Sequence, residues 1–238
     1  MEYIELLETH LIAHKLPCNE RILQQFQEYA GLLQETNAVM NLTANDDDYS
    51  IVTKHFMDSV TLAAAQSLAG KKNLLDVGCG AGFPSMPCKI LYPELPVTLM
   101  DATQKKLDFL AAVTEKLQLK HVTLVHGRAE ELSHKAKLRE GFQVVTSRAV
   151  ARLSLLCELC LPFVQVGGVF APLKLADSDE ELAQAAGALK TLGGQLLGRH
   201  DYVLADTSLQ YTILDIQKIA QTPKLYPRLY AKMQKLPL

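Results

Sequence analysis

The 238-residue chain contains no apolar run approaching the ~18 residues that cross a bilayer, so a membrane-spanning helix is not expected. Cysteine is sparse and odd in number, five in all, and Cys18, Cys79 and Cys88 stand in unrelated contexts, which argues against a disulfide framework. Cys157 and Cys160 form a lone CxxC inside the apolar run LLCELCLPF. With no further ligands nearby for zinc and no thioredoxin-like context, core packing is the favoured reading and no metal is expected. A net charge of -2 excludes a uniformly basic binder. Repeats and low-complexity tracts are absent, and the opening MEYIELLETHLIAHK lacks the apolar segment of a signal peptide, so a cytoplasmic protein is expected.

Charge is nevertheless uneven. Residues 1 to 40 carry Glu2, Glu5, Glu8, Glu20, Glu28 and Glu35 against Lys15 and Arg21, whereas Lys218, Lys224, Arg228, Lys232 and Lys235 follow Asp215 with no acid among them. Hydrophobic residues make up 48% of the chain, enough for one well-cored α/β domain with an appendage. Leu6, Leu7 and Leu11, then Ile22, Phe26, Tyr29 and Leu33, repeat at helical spacing and are broken at Pro17 and Cys18, which predicts two amphipathic helices. A polar turn over 41–48 and a third helix over 49–68 complete an N-terminal helical extension, residues 1–70.

From Asn73 onward short apolar runs alternate with helix-length segments, the pattern of βαβ units feeding a mostly parallel sheet. Strands are predicted at 73–77, 97–101, 122–126, 142–147, 168–173, 201–205 and 210–218, with helices near 84–91, 104–118, 152–160 and 179–192. The last two strands lack an intervening helix and are expected as an antiparallel hairpin at the sheet edge. The seven-stranded α/β domain spans residues 71–220, and a basic tail with three prolines, 221–238, follows.

The strongest local signal is LLDVGCGAGFP at 74–84, a strand running into Gly78, Gly80 and Gly82 and then a helix start. Such a loop lets backbone approach a ligand at the carboxyl end of the first strand. A dinucleotide fingerprint needs a small residue where Phe83 stands, so nicotinamide or flavin binding is disfavoured. The second strand ends in Asp101, placed to accept hydrogen bonds from ribose hydroxyls, although an acid also reaches a strand end by chance. In HGRAEEL, Ala129 and Glu130 fall in a loop after the third strand where an adenine edge can be held. A plain helix N-terminus, with Glu130 and Glu131 against its dipole, is the alternative.

This combination resembles the Rossmann-type methyltransferases. The ordered segments NLT (41–43), HFMDS (55–59), DVGCGAGFPSMP (76–87), HGRAE (126–130), VVTSRAVARL (144–153) and TPKLYPR (222–228) resemble the ribosomal RNA small subunit methyltransferase G family, also called glucose-inhibited division protein B. The resemblance implies S-adenosylmethionine as cofactor, held at Gly78, Phe83, Ala129, Glu130 and Arg148, with Gly80 and Asp101 added from the loop and its spacing. It implies methylation of N7 of one guanine in 16S rRNA, with that RNA or the small subunit as partner. The chain departs from the family where Asp101 is followed by Ala102, Thr103, Gln104, Lys105 and Lys106, and where Leu229 to Met233 replace a Gly-containing tail. It departs again at APLK, where Pro172 predicts a bulge in the fifth strand.

Guanine N7 carries a lone pair and no proton, so attack on a sulfonium methyl needs no general base. The fourth-strand segment accordingly reads Thr146, Ser147, Arg148 and Ala149, with neither an Asn/Asp-Pro-Pro-aromatic loop nor a Pro-Cys nucleophile; Pro87 and Cys88 follow the first strand instead. Asp58 is the candidate to stabilise the cationic product, and Arg148 the candidate to touch guanine O6 or the cofactor carboxylate. Simple helix packing is the alternative for His55 and Asp58. Lys105, Lys106, Lys174, Lys224 and Arg228 are expected at phosphates, and Tyr226 and Tyr230 on unpaired bases, against an ordinary solvated terminus. A monomer is expected. Two other functions remain open at this point: an NAD(P)-dependent oxidoreductase, and a catalytically inactive RNA-binding protein of ribosome assembly.

Overall fold

A computed structural model describes residues 3–44, 47–66, 68–176, 179–204 and 210–238. Helix α1 (Ile4–Ala13) and helix α2 (Glu20–Met40) are separated around Pro17, as the periodicity predicts. The Asn19 side chain caps α2 by accepting from the Ile22 amide at 3.0 Å. Its buried face, Ile22, Phe26, Tyr29, Ala30 and Leu33, follows the three- and four-residue spacing. The helix stops at Asn41, whose φ of 49° is left-handed.

The expected third helix is not uniform. Helix α3 (Asp48–Ser50) passes into a π-helical segment, Ile51–Met57, and then into helix α4 (Asp58–Ala65). Seven residues with i→i+5 pairing are unusual and cluster at functional sites in other proteins. No apolar periodicity announces this change, because the segment IVTKHFM is buried almost all round.

Seven strands form one sheet in the order β3-β2-β1-β4-β5-β7-β6. They are β1 (Leu74–Val77), β2 (Val97–Asp101), β3 (Val122–His126), β4 (Phe142–Arg148), β5 (Val164–Leu175), β6 (Gly194–Val203) and β7 (Gln210–Lys218). Strands β1 to β5 pair in parallel, while β7 runs antiparallel to both β5 and β6, which gives the expected hairpin. Strand β6 begins well before the predicted residue 201, through Leu196 to His200, and residue 205 lies outside the described residues. The expected bulge at Pro172 is corrected. Register is continuous through Pro172, with irregularities at Phe142/Val144 and Leu196/Gly198 instead. Pairing to β4 persists at Pro172 and lapses only on the β7 side, so one missing donor is absorbed without inserting a residue.

Helices α5 (Ser85–Leu91) and α6 (Gln104–Lys116) cover one face together with α2 and α4. Helices α8 (Leu153–Cys160) and α9 (Asp179–Leu192) cover the other, joined by the short α10 (Tyr230–Lys235). A one-turn helix α7 (Ala129–Leu132) follows β3. Strand β1 alternates between the two layers: Leu74 belongs to the first core, Leu75 and Val77 to the second. The first core runs without interruption from Leu7 to Ile213, so the N-terminal helices and the sheet share one apolar interior. Cys157 and Cys160 are fully buried in the second core.

The basic tail packs as structure. Arg228 donates to buried Glu158 on α8 through Nε at 2.8 Å and Nη2 at 2.6 Å, and its amide donates to the same carboxylate at 2.8 Å. Arg139 donates to the carbonyls of Thr222 and Tyr226, and the Thr222 amide to Glu140 at 2.8 Å. Lys218 is buried beside Thr222 and Glu140, and burial lowers its amine to about 8. Arg139 and Glu140 precede β4 and Lys218 ends the antiparallel β7, which places the start of the tail at the amino edge of the parallel strands.

Candidate active site at the carboxyl edge of the sheet

At the carboxyl end of β1 the chain turns through Gly78, Gly80 and Gly82, all with positive φ. An added Cβ at Gly82 would lie 2.7 Å from Leu110, Met86 and the Tyr29 hydroxyl, whereas at Gly80 it would meet nothing within 4 Å. The loop is therefore packed from below and open above. Asp101 ties it to β2: one carboxylate oxygen accepts from the Gly80 amide at 3.0 Å, the other from Thr103 at 2.9 Å. Lys106 stands 4.0 Å from the same group, while Lys105 is exposed.

Asp76, the acid that opens the glycine motif, is fully buried and accepts from the Ser85 amide at 3.3 Å; its second oxygen has no hydrogen-bond partner. Burial pushes its carboxyl up to about 7 against the opposing pull of Ser85 and the more distant Arg148. An unpartnered buried carboxylate oxygen beneath an open glycine loop is a place for a cationic ligand group. After β3, Ala129 and Glu130 begin a one-turn helix and not the expected loop, with Glu130 buried. These residues share the carboxyl edge with Asp101, as β2 and β3 are neighbours in parallel.

Phe83 does not obstruct the strand–helix contact. Its ring turns into the N-terminal layer, stacked on His55 at 4.7 Å and 14° and on Tyr29 at 5.5 Å. The Tyr29 hydroxyl donates to the Ala81 carbonyl, so helix α2 buttresses the loop directly. Arg148, at the end of β4, lies over the Phe83 ring at 5.0 Å. Its Nη1 donates to Asp58 at 2.7 Å and to the Lys54 carbonyl at 3.2 Å, and Nη2 to His55 Nδ1 at 3.2 Å. Because Nδ1 accepts from arginine, His55 Nε2 carries the proton and donates to the Thr43 hydroxyl at 2.9 Å. Thr43 is held in turn by reciprocal bonds to Asn37 of 2.8 and 2.9 Å.

The π-helical segment presents Lys54 and His55 to Arg148, with Asp58 following directly at the head of α4. Asp58 is 4% exposed and its other oxygen accepts from the Tyr202 hydroxyl at 2.5 Å. That corrects the expectation of a free anion for a purine cation: its charge is already compensated by Arg148, which it orients. Beside this group opens a cleft of ≈ 870 Å³, lined by Thr43, Lys54, His55, Asp58, Arg148, Arg152, Lys174, Glu181 and Tyr211, among others. It lies over β4, β5 and β7, whereas the glycine loop, Asp101 and Glu130 lie over β1 to β3.

Two expected RNA contacts need correction. Arg228 is engaged by Glu158, and Lys174 is paired with Glu181 at 2.8 Å, so each charge is already compensated within the fold. Lys224 is exposed but begins a tail rooted at the opposite edge, and Tyr226 is half-buried with Arg228 over its ring at 5.8 Å. Tyr230 opens α10 on the same packed segment. Sequence reading named Tyr29 only as a core position and Asp76 only as part of the glycine motif, and did not single out Tyr202 or Tyr211. The acid of Asp-x-Gly was a visible signal for Asp76. Tyr29 has the spacing of any core position, and Tyr202 and Tyr211 become a pair only once the hairpin register is known.

Comparison with known proteins bears on the same region. Residues 22–204 match the family model described as rRNA small subunit methyltransferase G. A protein named ribosomal RNA small subunit methyltransferase G from Lachnoclostridium phytofermentans is 46% identical across 92% of this chain and 91% of its own length. One of the same name from Bacillus velezensis is 43% identical across 99% of this chain and 98% of its own. Among solved structures, TrmN from Thermus thermophilus superposes with a TM-score of 0.52 at 16% identity, covering 71% of this chain and 53% of that one. M. jannaschii TYW2, solved in complex with AdoMet, gives 0.52 at 10% identity, covering 68% and 77%. At those identities the structural likeness speaks for the fold.

Proposed function

The chain belongs to the rRNA small subunit methyltransferase G family, and from that premise we propose that it transfers a methyl group from S-adenosylmethionine to N7 of one guanine in 16S rRNA. The observation that carries this reading is the division of the carboxyl edge into two adjoining parts. One is a glycine loop open above Gly80, with buried acids around it; the other is a large cleft, and Arg148 stands between them.

When bound, S-adenosylmethionine supplies an electrophilic methyl group on a sulfonium. The residues present fit such a molecule. The unpartnered oxygen of Asp76 suits its ammonium, the open space at Gly80 allows close backbone approach, and Asp101, Ala129 and Glu130 surround the place for its nucleoside. In the cleft, Arg148 is held by Asp58, His55 and the Lys54 carbonyl, which fixes one guanidinium edge and leaves an 18% exposed side chain to contact the acceptor. Thr146 is buried with its hydroxyl on Ala171, and Ser147 with its hydroxyl on Val77. Neither hydroxyl is poised as a nucleophile or base, in keeping with an N7 acceptor that has no proton to lose. Catalysis by this chain is then alignment, an effect of up to ~7–11 kcal/mol.

For the RNA we propose the exposed bases of the same edge: Lys105 at the head of α6, Arg128 after β3 and Arg152 before α8. Both parts of the site come from one chain, which supports action as a monomer, and the proposed substrate places it in the cytoplasm. Among the described residues no helix is long and apolar enough to cross a membrane. The oxidoreductase reading loses support because of the family match over residues 22–204 and not because of Phe83, whose ring turns away from the strand–helix contact.

The test is transfer of labelled methyl to small-subunit RNA from a strain lacking this gene, followed by mass mapping of 16S rRNA. One added N7-methylguanine is expected. Labelled RNA modified at another base, or no transfer despite micromolar S-adenosylmethionine binding, would overturn the reading, and the latter result would favour the inactive assembly protein.

A further inference from the structure

A purine drawn out of an RNA loop loses its stacking neighbours, and proteins replace them with aromatic faces. The cleft contains one such face. Tyr211, the second residue of β7, lines the cleft, half-buried, with Leu175 of β5 as its cross-strand neighbour on one side and Tyr202 of β6 on the other. Leu175 is 51% exposed and lines the cleft too, so an apolar floor faces the opening. Tyr202 stacks on Tyr211 with ring centroids 5.8 Å apart at 26°. Tyr202 is itself fixed, because its hydroxyl donates to Asp58 at 2.5 Å and Asp58 also holds Arg148.

We infer that Tyr211 is the stacking platform for the acceptor guanine, with Tyr202 and Asp58 as positioning residues behind it; this rests on the methyltransferase reading above. Asp58 thus holds Arg148 directly and, through Tyr202, backs the ring of Tyr211, so the base plane is held by Tyr211 while its edge meets Arg148. A cleft of ≈ 870 Å³ falls in the usual size range of small-molecule sites and admits a nucleotide.

The chain has no tryptophan, so Tyr211→Trp installs a single tryptophan at the platform, excited apart from the tyrosines at the red edge of their absorption. With S-adenosylhomocysteine present, titration with small-subunit RNA is expected to quench that fluorescence as the base stacks. In parallel, Tyr211→Ala is expected to raise KM for the RNA about tenfold or more, the effect of losing one base–aromatic stack, with kcat and S-adenosylhomocysteine affinity changed far less. Tyr211→Phe is expected to restore KM to within about threefold of the wild type. Should the alanine variant fail to fold, Tyr211→Leu keeps the bulk beside Leu175 and lacks only the aromatic face. A wild-type KM in the alanine or leucine variant, or unchanged tryptophan emission at saturating RNA, overturns the inference while wild-type methyl transfer keeps the function intact. Absence of transfer by the wild type overturns both.

Discussion

Arg148 and Arg228 are both arginines bound to nearly buried carboxylates, yet they serve opposite ends of the sheet. Arg228 meets Glu158, which is 1% exposed and accepts three bonds from it. Truncating Arg228 leaves a buried charge without its partner, a loss of about 3–5 kcal/mol. Arg228→Ala is thus expected to lower the thermal midpoint by roughly 6–20 °C, read by calorimetry or circular dichroism. Lys224→Glu is expected to leave RNA affinity unchanged, whereas Arg152→Glu with Lys105→Glu is expected to weaken it and reduce its salt dependence in a filter-binding titration. Asp76 gives a pH signature. Its folded value, about 7, lies above the ~4 of an unfolded aspartate, so the folded state binds the extra proton between those limits. Stability from this group therefore falls as pH rises from about 4 to 7 and levels off above, and Asp76→Asn is expected to flatten that slope in urea titrations at several pH values. A cationic ligand group at the free oxygen favours the ionised form. S-adenosylmethionine affinity is accordingly expected to drop on acidification through 7 in the wild type and not in Asp76→Asn.

At the scale of elements, the glycine loop is held from two sides that differ in what they tolerate. Gly82, at φ 99°, has Leu110, Met86 and Tyr29 atoms 2.7 Å from an added Cβ, so Gly82→Ala is expected to disrupt the packing of α2 and α6 on the loop and cost solubility or several degrees of thermal midpoint. Gly80, at φ 57°, has open space above it. Gly80→Ala is expected to fold, with a strain cost of about 1–2 kcal/mol, and to lose S-adenosylmethionine affinity in calorimetric titration. Equal thermal midpoints for the two variants would contradict this division. The π-helical segment works differently. By widening the helix over Ile51–Met57 it turns Lys54 and His55 toward β4, with Asp58 next in line, and the arginine at the end of that strand is held between them.

Across the whole molecule, the apolar interior that begins at Leu7 continues under the sheet, with Tyr29, Phe56 and Phe83 at its junction with the site. Burying side chains of this kind contributes ~1.5–3 kcal/mol each. A chain that starts at residue 71 is therefore expected to expose this face and to lack cooperative unfolding, measurable by thermal denaturation. A cooperative transition in that truncated chain would show that the N-terminal helices are dispensable for the fold. The polarity of the sheet also separates two surfaces: the glycine loop, Arg148 and the basic residues proposed for RNA at the carboxyl edge, and the start of the tail at the amino edge.

What the residues determined alone was the part governed by local rules. Period-3.6 and short apolar runs placed α1, α2, the succession of strands along the chain and the hairpin, with the start of β6 missed, and three glycines after a strand marked the loop at the carboxyl end of β1. Tertiary structure decided which charges are free. Lys174, Arg228 and Asp58 look alike in sequence to any exposed ionic residue, but each is paired in the fold, Arg228 and Asp58 with the distant Glu158 and Arg148 and Lys174 with Glu181 of the helix that follows its strand. The same holds for Phe83, whose bulk speaks against one cofactor loop on paper and, in the fold, becomes the surface on which Arg148 and His55 rest. Long-range pairing depends on strand order and register, and no residue carries that information by its own type.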